Sequence, residues 1–302
     1  MSWLLLAIIG YFLFSLATVI NKFLLRQRAT TKPLVFTFWI GVLSIFSVVL
    51  IPFGPLFWPG TRTFFFDILT GVFYFLSILN FYQALDINET SRIKPLTGAF
   101  TPIFVLLLSY FFLAERLGAS QVLAIILLII GGFLISIKES RGQIKSGLKG
   151  AIFIILAILT GAIYWVMAKY AFDKQGFVNG FIWTRLGFSL TSFLILLMPF
   201  WRKMIFTSGH QLNVKLGGGL VFSKLLASFG SLAVHLSLSL GSATIINAMA
   251  GTEYAFLLIL TVILSLKFPR FLEEKISRKI LVQKIFAIIL IGAGLAILVW
   301  RF

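Results

Sequence analysis

The stretch GSATIINAMAGTEYAFLLILTVILSL, Gly241–Leu266, decides how the chain is read. At about 1.5 Å of rise per residue, a helix of this length crosses a hydrocarbon core of about 30 Å. Yet Glu253 stands near its centre, with Asn247, Thr252 and Tyr254 close by. A carboxylate at that depth costs about 2.5–3.5 kcal/mol even on insertion scales, so it must face protein or a water-filled cavity. Two readings follow: Glu253 lies on a substrate or proton path, or it is a neutral, hydrogen-bonded side chain that locks helix packing. Ionisable groups inside membranes are functional by default, which favours the first.

The same apolar character continues in both directions. Of 302 residues, 60% are hydrophobic and 12% charged, and the mean hydropathy is +1.05. Soluble domains carry about twice that share of charge. The apolar runs are long and do not alternate, so they read as helices rather than barrel strands. The run from Met1 to Leu25 is too long for a cleavable signal peptide and no small-residue cleavage site follows it. With no cysteine and only His210 and His235, disulfides, thiolate metal sites and histidine-based metal centres are excluded, and no cofactor is expected. The net charge of +17 sits mostly in short loops, where it meets lipid head groups rather than nucleic acid.

Ten spans are expected: Ser2–Leu25, Pro33–Ile51, Phe65–Leu85, Thr90–Leu113, Ala119–Ile137, Leu148–Phe172, Phe177–Pro199, Leu216–Leu240, Ser242–Leu266 and Arg278–Trp300. The second half echoes the first. INKFLLRQ, ending at Gln27, matches MAKYAFDKQ, ending at Gln175. Trp39 matches Trp183, and Pro52-Phe53 matches Pro199-Phe200. ERLGASQ and EEKISRKILVQK each lead into a glycine-bearing helix. The fold class is therefore an all-α integral membrane protein of ten helices, in two five-helix repeats covering residues 1–140 and 141–302. Five is odd, so the second copy is inverted, an arrangement of secondary transporters whose binding site lies between the repeats. Sixteen Lys and Arg fall in the loops after spans one, five, seven and nine, against five on the other side. That bias places both termini outside.

The polar residues are grouped by helical spacing. Lys224, Ser228, Ser231, His235 and Ser239 recur within a sector of about 80°. Tyr11, Ser15, Thr18 and Lys22 form a weaker stripe, and span seven carries Arg185, Ser189 and Ser192. Span four has Lys94, Gly98 and Thr101; span three ends with Asn80, Tyr82 and Gln83; Asn247, Gly251 and Tyr254 share a face of span nine. Such faces most simply enclose a common aqueous cavity, although any single Ser or Thr can bond its own helix or glue two helices together. The inventory is basic: Arg92, Lys94, Arg185, Lys224 and His235 against Glu253. It calls for a substrate bearing a carboxylate or phosphate, with Glu253 contacting an amine or carrying a proton.

The chain resembles the EamA-like branch of the drug/metabolite transporter superfamily. The resemblance rests on Tyr82-Gln-Ala-Leu85, Pro102, Glu115-Arg116-Leu117, Gln121 and Gly131-Gly132. In the second half it rests on Leu240-Gly-Ser-Ala243, Glu274-Lys275-Ile276, Gly292 and Gly294. It implies a carrier, usually an exporter of amino acids, other metabolites or toxic compounds, with a cavity lined by spans three, four, eight and nine. The chain departs from the pattern in the insertion Lys267–Leu272 and in Ala255, which stands opposite Pro102. The resemblance also implies both termini in the cytoplasm, against the charge bias.

The expected function is secondary transport of a small polar or anionic metabolite such as an amino acid, not enzymatic catalysis. The expected setting is the cell membrane, as a monomer or homodimer among lipids. A lipid-linked sugar or lipid-phosphate flippase is the alternative. An intramembrane lipid-modifying enzyme would need clustered carboxylates, paired histidines or a nucleophile with a base.

Overall fold

A computed structural model describes residues 2–24, 32–87, 90–136, 147–207, 217–267 and 278–300. All regular elements among the described residues are helices: α1 (Ser2–Leu24), α2 (Pro33–Leu43), α3 (Thr61–Ile87), α4 (Thr90–Phe112), α5 (Ala119–Ser136), α6 (Gly147–Gln175), α7 (Phe177–Ile195), α8 (Pro199–Thr207), α9 (Gly217–Leu240), α10 (Ala243–Ala248), α11 (Gly251–Lys267) and α12 (Arg278–Trp300). α2 tightens into a 3₁₀ segment over Ser44–Phe53. Helices follow from the solvent: without water, a backbone must satisfy its own hydrogen bonds.

Each of the ten expected spans overlaps a described helix, but not all of them are long and apolar enough to count as membrane crossings. Among the described residues, seven stretches are long and apolar enough to cross a membrane, or eight if α7 and α8 form one bent span; Leu96–Phe112 and Ala119–Ile135 are shorter apolar helices. Two expected spans are interrupted. The seventh stops at Ile195, and α8 leaves at 100° to α7, because Pro199 cannot continue the preceding hydrogen-bond ladder. The ninth breaks at Met249–Ala250, between α10 and α11. Ser242 caps α10 by accepting from the Ile245 N–H at 3.1 Å.

Helix pairing sets where polar groups can meet. α1 lies along α9, α3 along α6 and α5 along α12; α3 also packs on α7, α4 on α6 and α1 on α11. Glycines permit the closest crossings. A Cβ on Gly187 would lie 2.8 Å from Ile68 Cα, so α3 and α7 touch backbone to backbone; one on Gly132 would lie 2.8 Å from Gly251 Cα. At Gly176 the chain passes from α6 to α7 with φ +77°, a conformation that favours glycine. One apolar core fills the space around α1, α5, α6, α9 and α10, and a smaller one joins Val35, Phe38, Phe75, Phe188 and Ile205.

Candidate functional site

Arg185, on α7, is the centre of the first polar group. It is 7% exposed. Its guanidinium carbon lies 4.4 Å from the Tyr74 ring centroid and 4.8 Å from that of Phe181. Such contacts contribute about 0.5–2 kcal/mol each, most when desolvated. Nη2 is 3.3 Å from Ser231 Oγ and 3.2 Å from His235 Nε2. Tyr164 Oη is 2.6 Å from the same His235 nitrogen. A guanidinium only donates, so Nε2 accepts, and His235 Nδ1–H donates to Ser231 O at 2.6 Å. The imidazole stacks on Trp165, centroids 5.3 Å apart at 14°, and Tyr74 stacks on Tyr164 at 4.2 Å. Among the described residues no carboxylate pairs with Arg185. The result is a buried cation walled by rings, with no counter-charge among the described residues.

Glu253 anchors the second group. The turn at Met249–Ala250 puts it in the first turn of α11, where the Thr252 and Glu253 N–H groups donate to Met249 O and Ala250 O at 2.8 and 3.2 Å. Thr18 on α1 donates to its carboxylate, and Lys94 on α4 is the neighbouring cation. Tyr254 Oη donates to Lys94 O at 3.3 Å. A Cβ on Gly98 would come within 3.1 Å of the same hydroxyl, so glycine leaves room for the phenol. Tyr11 Oη donates to Ile246 O at 2.7 Å, which fixes α10 against α1.

The expected stripe on α9 divides among several tasks. Ser231 and His235 join Arg185. Ser228 bonds its own helix at Lys224 O, 2.9 Å away, and Ser239 bonds Leu236 O. Lys224 is exposed, with Nζ 4.7 Å from the Phe36 ring centroid. Phe36 in turn meets Tyr82 edge to face at 4.5 Å, so α2, α3 and α9 converge there. Gln83 is partly buried one residue further on. Asn247 is 5% exposed on α10. The side chains of Lys22 and Arg92, and Glu274-Lys275-Ile276, lie outside what the structure describes. No described contact joins the Arg185 group to the Glu253 group.

A cavity of about 160 Å³ lies between α3, α4 and α6, with Ser77, Thr97, Thr101, Gly161 and Trp165 on its walls. Through Trp165 it adjoins the stack on His235. Among groups of His, Asp and Glu in the described residues, none could hold a metal ion. The sequence reading missed Tyr74, Tyr164 and Trp165, which look like ordinary apolar filling. It also missed Asp67, 0% exposed near the start of α3. Asp67 carries the same signal that singled out Glu253, an acidic residue in an apolar run.

Residues 1–137 match the EamA-like transporter family. No curated protein matches the sequence. Twenty-nine chains of solved structures match in fold. One, described only as "Crystal structure of protein", has a TM-score of 0.68 at 15% identity, covering 98% of this chain and 96% of that one. At that identity the likeness speaks for the fold alone.

Proposed function

Since residues 1–137 match the EamA-like transporter family, and the helices are those of a multi-pass membrane protein, we propose that the chain is a secondary active transporter of the drug/metabolite type. It exports a small polar or anionic metabolite such as an amino acid by alternating access. The observation that carries this reading is the uncompensated Arg185 guanidinium in its aromatic box. Keeping a desolvated charge without a partner is costly. A carboxylate or phosphate arriving beside Tyr164 and Ser231 removes that cost. Glu253, in its separate group, takes the role of contacting an amine or carrying a proton.

The carrier consists of ten spans in two inverted halves, residues 1–140 and 141–302. Helix pairing supports this, because exchanging the halves turns α1–α9 into α6–α3 and α1–α11 into α6–α4. The charge bias of the loops supports termini on the outer side of the cell membrane. The discontinuous α10–α11 helix fits a binding region near the midplane. The lipid-phosphate flippase reading has one observation behind it: Lys224 is exposed beside Phe36 and Tyr82, where a head group sliding between α2 and α9 would meet a cation.

The test is thermal unfolding of the purified protein with amino acids, dicarboxylates and phosphate monoesters. A ligand at about 100 times its Kd adds about 2.7 kcal/mol. Stabilisation by an anion that Arg185→Gln abolishes, together with saturable counterflow of that anion in proteoliposomes, supports the carrier. Flux that does not saturate and shows no exchange overturns it in favour of a channel.

A further inference from the structure

Asp67 sits away from both polar groups, and neither of them uses it. Its carboxylate is 0% exposed. Gln175, at the end of α6, is its hydrogen-bond partner: Nε2 lies 2.9 Å from Oδ1 and 2.8 Å from Oδ2. Gln175 Oε1 accepts from Asn179 Nδ2 at 2.8 Å, and Asn179 Oδ1 accepts from the Phe57 backbone N–H at 3.0 Å. The direction of this chain is fixed at one end, because a backbone N–H can only donate. Asn179 therefore turns its oxygen to Phe57 and its NH₂ to Gln175, and Gln175 turns its NH₂ to Asp67. Every donor in the relay points towards the carboxylate.

The far end of the relay holds a surface segment. Phe57 O accepts from Trp183 Nε1 at 3.0 Å. Trp58, Phe64 and Trp183 pack edge to face or tilted, with centroids 4.9–5.6 Å apart. Gly54 lies against Val178, where a Cβ would come within 2.7 Å of Cγ2. The segment between the 3₁₀ stretch and α3 is thus latched over the start of α7 by two backbone hydrogen bonds, one of which leads to Asp67. This end lies opposite Lys94, Lys224 and the start of α2.

We propose that Asp67 is a proton-binding site that controls this latch, which makes it the coupling residue of the carrier put forward above. The step is simple: an Oδ–H bond forms, the negative charge disappears, and nothing is oxidised or reduced. The ionised carboxylate is the strongest acceptor for Gln175 and polarises the relay. Once neutral, it carries a donor of its own; turned to Gln175, that O–H takes Oε1 as acceptor, the two amides reverse, an NH₂ faces the Phe57 N–H donor to donor, and the segment is released. The latch is therefore closed at high pH and opens as pH falls. This leaves Glu253 for a substrate amine.

Other charged groups near this end are engaged elsewhere. On α6, Lys169 pairs with Asp173 at 2.7 Å, and exposed Lys174 lies 5.7 Å from the Tyr170 ring centroid. Arg62 on α3 is exposed. On α7, Arg185 is enclosed by Tyr74 and Phe181. α2 has no titratable side chain. On α4, Tyr110 is covered by Arg116, and Lys94 belongs to the opposite end.

The chain has no cysteine, so Val178→Cys reports from under the segment without background. Its labelling by a membrane-impermeant maleimide, divided by the rate for unfolded protein at the same pH, should rise at least tenfold as pH falls. In Asp67→Asn it should be fast at every pH. A flat, slow profile in the Asp67 protein, or an unchanged pH profile in Asp67→Asn, overturns the proposal. Should Asp67→Asn not fold, Gln175→Leu cuts the relay and keeps the carboxylate. Fast, pH-independent labelling supports the latch, and the original profile overturns it. None of these readouts needs a substrate, so the carrier reading and the proton site fail separately.

Discussion

The two polar groups of the bundle are opposites in charge balance. Arg185 is a buried cation surrounded by π faces, hydroxyls and an imidazole, with no described carboxylate beside it. Glu253 is a carboxylate with a hydroxyl from Thr18 and a cation in Lys94 beside it. The second group pairs its carboxylate with a cation, whereas the first shows no carboxylate among the described residues. In a medium where unpaired charge is expensive, that contrast is the basis for proposing Arg185 as the counter-charge of an anionic ligand.

Substitutions can break or sharpen this contrast. Arg185→Gln should weaken binding of an anionic ligand about 100-fold or more, in line with about 2–5 kcal/mol for removing one partner of a buried charge pair. Ligand-induced shifts in unfolding temperature measure it. Gly187→Leu forces a side chain against Ile68 Cα and Asp67 O. It should cost about 1–3 kcal/mol of stability and reduce anion binding through the α3–α7 wall, while the Glu253 group, on α1, α4 and α11, keeps its geometry. Denaturant midpoints and binding together separate the two effects. Tyr164→Phe removes one hydrogen bond to His235, about 1 kcal/mol, and should lower anion affinity roughly fivefold. Glu253→Gln keeps the Thr18 contact and should change affinity for a simple anion less than about twofold, while ligands bearing an amine lose their advantage over those without one. Calorimetric titration with paired ligands checks it. Ser228→Ala, which gives up only a bond to its own helix, should be silent.

The helices were legible because the bilayer leaves few alternatives to an apolar run of about 20 residues. The interruptions were less legible. Pro199 announced the bend before α8, but nothing in MAGTE announces that Glu253 begins a new helix rather than sitting in mid-span. In the site, spacing grouped Ser231 with His235, both of which meet Arg185, but also drew in Ser228, which satisfies itself locally. Spacing cannot tell a hydroxyl that bonds backward from one that reaches a neighbouring helix. Tyr74, Tyr164 and Trp165 escaped notice because their contribution is a π face or a single hydroxyl, visible only once Arg185 is placed against it. Asp67 could have been found by the rule applied to Glu253. Its relay partners could not, since Gln175, Asn179 and Phe57 come from separate stretches of chain brought together by the α3–α6–α7 packing.

The most direct measurement compares wild type with Arg185→Gln for one metabolite in two forms, the free acid anion and its uncharged amide or ester, by calorimetry on purified protein. The anion should bind wild type, lose about 100-fold or more in the variant, and outcompete its uncharged form only when Arg185 is present. Equal binding of anion and uncharged form to wild type, or an anion affinity that survives Arg185→Gln, would contradict the assignment of Arg185 as the counter-charge of the substrate.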